Sequence, residues 1–274
     1  MTLRLIDTFS GIGGFSYAAE KLVGGFKTVA FVECEPYCQK VLKKHWPHVK
    51  QFHDIRTYKP EPYSADVICG GFPCQDISQA GLQAGITKET RSGLFYELIR
   101  VIRLVRPKFV ILENVAAILN NGLGIVLGEL AEAGFDCEYA CIPASALGAC
   151  HKRDRFWLVA YPESFRRRGR NTEKCSIQER PILSRESERG EMGGKTQRCR
   201  VNPSSIRWQN KQNTRQLDPD WRGYVSQPTL RRGNDGLSNR VHRLKALGNS
   251  IVPQVAAIPL QRVLDLEKLI VTNC

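Results

Sequence analysis

From residue 3 to about residue 161 the chain alternates short apolar runs with helix-period segments, and this alternation constrains the fold more than any other feature. Strands are predicted at Leu3-Asp7, Thr28-Glu33, Val67-Cys69 and Phe109-Glu113. Each is followed by a loop and then a segment with helical apolar spacing: Tyr17-Val23, Pro36-Trp46, Leu94-Val105 and Ile125-Ala133. A regular strand-helix alternation specifies an α/β fold with a parallel, doubly wound sheet, because each return to the same sheet edge needs a helical crossover. The last two predicted strands, Cys137-Ile142 and Arg155-Tyr161, are joined by a dozen residues without a convincing helix, so an antiparallel pairing is expected there.

After Tyr161-Pro162 the character changes. Arginine, glycine, serine and asparagine dominate, and apolar periodicity fades until Leu244. Residues 1–161 hold 18 Lys/Arg against 16 Asp/Glu, residues 162–243 hold 19 against 9, and residues 244–274 hold 3 against 2. One segment therefore carries nearly all of the formal charge of +13. A cationic segment of this size attracts polyanions, of which nucleic acid is the commonest large one, although a solvated basic loop also fits the charge alone. Gln254-Leu269 is again amphipathic, so the chain returns to the first domain. The expected organisation is a first domain of residues 1–161 plus 244–274, interrupted by a small basic domain of residues 162–243.

The segment Gly70-Gly71-Phe72-Pro73-Cys74-Gln75 follows the strand Val67-Cys69 and places a thiol at the mouth of the sheet, where ligand sites of such folds form. Pro73 fixes its own φ and biases Phe72 to an extended conformation, so the backbone before Cys74 is stiff. A buried structural cysteine is the plain alternative. Glu113-Asn114-Val115 ends the next strand in the same manner, which turns a carboxyl and a thiol to one crevice, as attack by sulfur and proton donation by an acid require; a helix cap would also explain the pair. In His151-Lys152-Arg153-Asp154-Arg155 two arginines spaced by one are expected to project to one side of an extended segment, suited to a carbonyl or a phosphate, although a solvated charge run fits equally well.

The loop Asp7-Thr8-Phe9-Ser10-Gly11-Ile12-Gly13-Gly14-Phe15-Ser16 follows the first strand and opens a helix, the context a nucleotide-type loop needs, while a tight turn alone would also account for its glycines. Twenty residues beyond Gly13, Glu33 ends the second strand at the spacing of a ribose-binding carboxylate, and Asp54, near the end of a third strand, could read an exocyclic amine. Together these three elements favour an adenosine-containing cofactor.

In their order and spacing these motifs resemble the DNA cytosine-5 methyltransferases of the bacterial or phage type. Asp7-Phe15 is similar to the first motif of that family and Phe31-Glu35 to the second. Gly70-Ser78 resembles its Phe-Pro-Cys-Gln motif, Glu113-Val115 its Glu-Asn-Val motif, His151-Arg155 its basic motif and Gly248-Val255 its last. The resemblance implies a Rossmann-like, S-adenosylmethionine-dependent methyltransferase sheet with a small basic target-recognition domain. It implies that S-adenosylmethionine lies over Phe9 and the glycines Gly11, Gly13 and Gly14, with Glu33 on the ribose, Asp54 and Ile55 on the adenine, and Asn249 and Ser250 near the methionine moiety. It further implies Cys74 as the nucleophile, Glu113 as the partner of the ring nitrogen N3, and Arg153 and Arg155 as supports for a flipped base and the active-site loop. In the same way it makes residues 76–93 a mobile loop, and double-stranded DNA the partner of a monomeric, cytoplasmic enzyme.

Two features depart from the pattern. His151 stands where glutamine is common, and Arg222-Arg231 does not reproduce the further motif that usually precedes the last one. A tRNA cytosine-5 methyltransferase of the same fold and a catalytically silent DNA-binding paralogue are the competing readings. Phe72 before Pro73-Cys74 and the basic insertion favour DNA, and the intact Cys74, Glu113 and arginines disfavour a silent protein. No apolar run is long enough to cross a bilayer, and the N-terminus lacks the apolar core of a secretory signal, which together point to the cytoplasm and to reduced thiols for the ten cysteines. Cys34/Cys38 and Cys137/Cys141 lack the spacing of structural zinc sites, and no metal is expected.

Overall fold

The computed structural model describes residues 2–73, 93–162 and 240–272. Seven strands form one sheet: β1 Leu3–Thr8, β2 Phe26–Val32, β3 Lys50–Phe52, β4 Val67–Gly70, β5 Phe109–Val115, β6 Phe135–Pro143 and β7 Asp154–Pro162. Their order is β3-β2-β1-β4-β5-β7-β6. The first five run parallel, and β7 pairs antiparallel with both β5 and β6. The expected doubly wound sheet and the antiparallel terminal pair are both present. Between β6 and β7 only a 3₁₀ turn, Ala144–Leu147, intervenes, too short for a parallel crossover.

The helices are α1 Gly14–Tyr17, α2 Pro36–His45, α3 Leu94–Val105, α4 Ile118–Asn121, α5 Leu123–Glu132, α6 Arg240–Asn249 and α7 Pro253–Thr272. The first continues as a π-helical stretch, Ala18–Val23, so the predicted Tyr17-Val23 helix starts earlier and is wider than a regular α-helix. Successive residues of the inner strands serve two separate cores. Ile68, Val110 and Leu112 pack with α3 and α5, whereas Val67, Cys69, Phe109 and Ile111 pack with α1 and α7. Both faces of the parallel sheet are thus covered, which is why its strands read as continuous apolar runs.

The last two helices fasten the end of the chain onto this frame. On α7, Leu260 and Val263 are fully buried, and Arg262 pairs with Glu138 at 2.8 Å. Helix α6 lies against α2 through the Lys245–Glu35 ion pair at 2.8 Å and the stacked rings of Tyr37 and His242 at 6.0 Å. The sheet includes Pro162, and α6 is described from Arg240 onward. The intervening basic segment, up to residue 239, lies outside the described residues, as do Cys74 and residues 76–92 of the proposed loop.

Candidate active site

The carboxyl ends of β1, β4 and β5 converge, and small residues allow them to do so. Gly70 has no room for a side chain, because a Cβ would collide with the Thr8 hydroxyl, which donates to the Cys69 carbonyl at 2.8 Å. At Gly71 a Cβ would stand 2.9 Å from Glu113 Oε2. The backbone that leads to Cys74 therefore runs directly beside the Glu113 carboxyl. Asn114 joins the two strands' ends further: its amide donates to the Phe72 carbonyl at 3.4 Å, while its oxygen accepts the Val115 N–H at 2.8 Å. Sequence reasoning left Asn114 without a role of its own, although its place directly after Glu113 in the strand was a signal.

Glu113 is 9% exposed. Burial raises its carboxyl to about 7, against the opposing influence of Arg155 and Arg153. Arg155 Nε lies 3.1 Å from Glu113 Oε1. A buried acid poised near neutrality beside a cation can give up and recover a proton at physiological pH. Trp157, opposite Glu113 in the β5–β7 register, lines the same recess as Glu113, Arg153, Arg155 and Ile251. Its edge meets the ring of Phe15 at 5.7 Å, so it connects the acid's surroundings with the helix that follows the glycine loop. The signal for Trp157 was its period-two spacing from Arg155.

Arg153 lines the same recess from a different backbone setting. It does not share an extended segment with Arg155, because β7 begins at Asp154 and Arg153 has a φ of 33°. Its guanidinium also reaches the returning segment: Nη1 donates to the Gly248 carbonyl at 3.0 Å and Nη2 to the Ser250 carbonyl, while its charge still favours the Glu113 carboxylate. Among the described residues, the direct ion pair with Glu113 is made by Arg155.

On the other side of β1 the glycine loop is built for close backbone approach. Gly11 has a φ of 54°, and nothing lies within 4 Å of where its Cβ would be. Phe9 adopts a φ of 51°, an uncommon state for an aromatic residue and one that persists only where its surroundings hold it. Glu33, just beyond β2, accepts the Gly11 N–H at 2.7 Å and the Glu35 N–H at 2.8 Å, each on a different carboxylate oxygen. The remaining lone pairs of those oxygens are the acceptors that a pair of ribose hydroxyls needs. Gly13 is wedged against Trp46 and Leu42 of the α2 region, and Gly14 against Ile251, where Cβ atoms would come within 2.7 Å and 2.6 Å. These residues fit an adenosine-type group: an open glycine, a strained aromatic residue beside it and a carboxylate at the next strand end.

The other residues expected to contact a cofactor have the following partners. The Asp54 carboxylate is engaged by Arg56, with Oδ1 accepting the Arg56 N–H at 2.9 Å and Oδ2 2.7 Å from its guanidinium, which holds Asp54 below the usual carboxylate range. Ile55 is buried in the core with Tyr58 and Phe52. Asn249 is exposed at the end of α6, and Ser250 follows it with its hydroxyl donating to the Ile251 carbonyl at 3.1 Å. The structure brings Glu113, Arg155, Gly71 and the segment of Ser250 to one end of the sheet, next to the glycine loop.

A parallel sheet closed by one antiparallel strand, with a glycine loop and strand-end carboxylates at its carboxyl edge, defines a Rossmann-like cofactor-binding domain. Residues 3–216 match the model of C-5 cytosine-specific DNA methylases, and the chain belongs to that family. It is 33% identical over 168 residues to the Type II methyltransferase M.CviJI of Paramecium bursaria Chlorella virus IL3A, a match covering 60% of this chain and 45% of that protein. It is 35% identical over 166 residues to the Type II methyltransferase M2.BsuMI of Bacillus subtilis strain 168, covering 58% and 42%. Against the Type II methyltransferase M.HhaI of Haemophilus parahaemolyticus the identity is 29% over 163 residues, covering 58% and 49%. The chain thus spans less than half the length of each of these three relatives.

Proposed function

We propose that this chain transfers a methyl group from S-adenosylmethionine to C5 of cytosine in duplex DNA, with Cys74 as the nucleophile and Glu113 as the acid. The observation that carries this reading is the buried Glu113 carboxyl, raised to about 7, against the backbone of Gly71, three residues before the thiol. Family membership and the Glu33-glycine loop arrangement support it.

Cytosine C5 is a weak nucleophile. The Cys74 thiolate adds to C6, forming a C–S bond, while Glu113 gives its proton to N3 as charge builds there. The ring becomes enamine-like, and its C5 gains the electron density that methyl transfer requires. The Phe9-Gly14 loop and Glu33 would hold S-adenosylmethionine, which when bound would supply an electrophilic methyl group, the S–CH3 electron pair staying on sulfur in S-adenosylhomocysteine. A base then removes the C5 proton, the C6–S bond breaks with its electrons returning to sulfur, and Glu113 recovers the N3 proton. Arg155 keeps the carboxylate form of Glu113 from being prohibitive in a buried site, so the acid can cycle. A paired cytosine cannot reach this acid at a strand end, so the base must leave the duplex, at a cost of a few kcal/mol. Residues 162–243, with nearly all the excess positive charge, are the segment to supply compensating phosphate contacts as a target-recognition domain.

Transfer of labelled methyl groups to duplex DNA and to tRNA tests the reading. Label is expected in DNA, at C5 of cytosine. Label in tRNA alone, or in neither, would overturn the proposed substrate.

A further inference from the structure

Arg153 stands where the target side and the cofactor side of the site meet. Its backbone is left-handed, with a φ of 33°, a conformation that costs a side-chain-bearing residue energy and is kept only where other contacts demand it. Those contacts are visible. The guanidinium donates to the carbonyls of Gly248, at 3.0 Å, and Ser250, the last carbonyls of α6 and the residue beyond it. A cation there also meets the negative end of a ten-residue helix. One residue further, Ile251 is packed so closely on Gly14 that a Cβ at Gly14 would lie 2.6 Å from Ile251 Cγ1. A continuous mechanical path therefore runs from the start of β7, through Arg153, to residues 248–251 and onto the glycine loop.

We infer that Arg153 is a positioning residue for the cofactor side: besides its charge effect on Glu113, it fixes residues 248–251 against the glycine loop, while Arg155 makes the direct pair with the acid. The inference rests on the proposed binding of S-adenosylmethionine at that loop. It adds a task for Arg153 to the one that the family resemblance assigns jointly to both arginines, which line one recess. A planar fork suits this task, because two carbonyls of one irregular segment are held at once, which a single ammonium on a flexible stem does less well. Without the fork the segment must be ordered when the cofactor binds, and the affinity falls accordingly.

The test uses the full chain without DNA. S-Adenosylhomocysteine binding is measured by calorimetry for the parent, Arg153→Met and Arg155→Met, together with amide hydrogen exchange of residues 248–252. Arg153→Met is expected to bind about tenfold more weakly, the loss of charge-assisted hydrogen bonds, and to exchange faster across that segment. Arg155→Met is expected to bind within about twofold of the parent, yet to lose methyl transfer to DNA. Arg153→Met binding as tightly as the parent, or exchange at 248–252 unchanged, overturns the inference. If Arg153→Met does not fold, Arg153→Lys decides: affinity a few-fold below the parent supports the clamp, and parental affinity with parental exchange refutes it. A parent chain that fails to bind S-adenosylhomocysteine refutes the cofactor reading itself, and the exchange result then decides the clamp alone.

Discussion

Asp7 offers a quantitative test of how the glycine loop is anchored. It is fully buried on β1, between Phe31 and Cys69 of the neighbouring strands. One carboxylate oxygen accepts the Ser16 hydroxyl at 2.7 Å and the Ser16 N–H at 3.3 Å; the other has no hydrogen-bond partner among the described residues. Burial raises the acid from 3.8 to about 7, against the stabilising contacts of Ser16 and Cys69. Between pH 5 and 7 the folded chain thus keeps a proton that the unfolded chain has already lost. Its stability must fall as pH rises, by up to about 1.4 kcal/mol per pH unit for this group. In Asp7→Asn the amide oxygen can still accept from Ser16, and no proton is exchanged. Relative to the parent, the variant should gain about 2 kcal/mol of unfolding free energy as pH goes from 5 to 7. Glu113 adds a slope of the same sign, but equally in both proteins, so the difference isolates Asp7. Urea unfolding at pH 5, 6 and 7 measures it. A stability difference between the two proteins that stays constant over this range would refute the burial argument.

Two further outcomes follow from the site. Glu113→Gln should lower methyl transfer by about 10²–10⁴-fold, and the parent's decline in rate as pH rises above about 7, where its acid loses the proton, should be absent from the variant; a retained decline in a pH-rate profile would assign it to another group. Gly14→Ala should destabilise the fold by about 1–3 kcal/mol through its contact with Ile251, and adding Ile251→Ala should recover part of that loss; strictly additive urea midpoints would show that the contact does not matter.

The sheet was readable because its signal is local. Alternating apolar runs and helical periods depend on residues within one element, and Leu94–Val105 coincides with the predicted helix. The π-helical stretch Ala18–Val23 was not readable, since its apolar spacing also suits a regular helix. The site divides along the same line. Glu113 and Glu33 follow from strand ends alone, whereas the role of Arg153 depends on carbonyls 95 and 97 residues away. Spacing by two suggested that both arginines face one way, and both line the recess of Glu113; what spacing could not show is the left-handed turn at Arg153 and its bonds to the returning segment. Asp54 follows β3 closely, as its position suggested, and the pairing of its carboxylate with Arg56, two residues on, was not legible from spacing. The Asn114 amide likewise finds its partner 42 residues earlier, at Phe72.

The most direct measurement of the central claim is the trapping of Cys74 on a duplex containing 5-fluorocytosine, in the presence of S-adenosylmethionine. Fluorine at C5 cannot leave as a proton does, so a sulfur bonded to C6 stays bonded. The account predicts a denaturation-resistant protein–DNA complex with the parent, and none with Cys74→Ser. Methylation of ordinary DNA without any trapped complex, or an adduct that persists in Cys74→Ser, would contradict it.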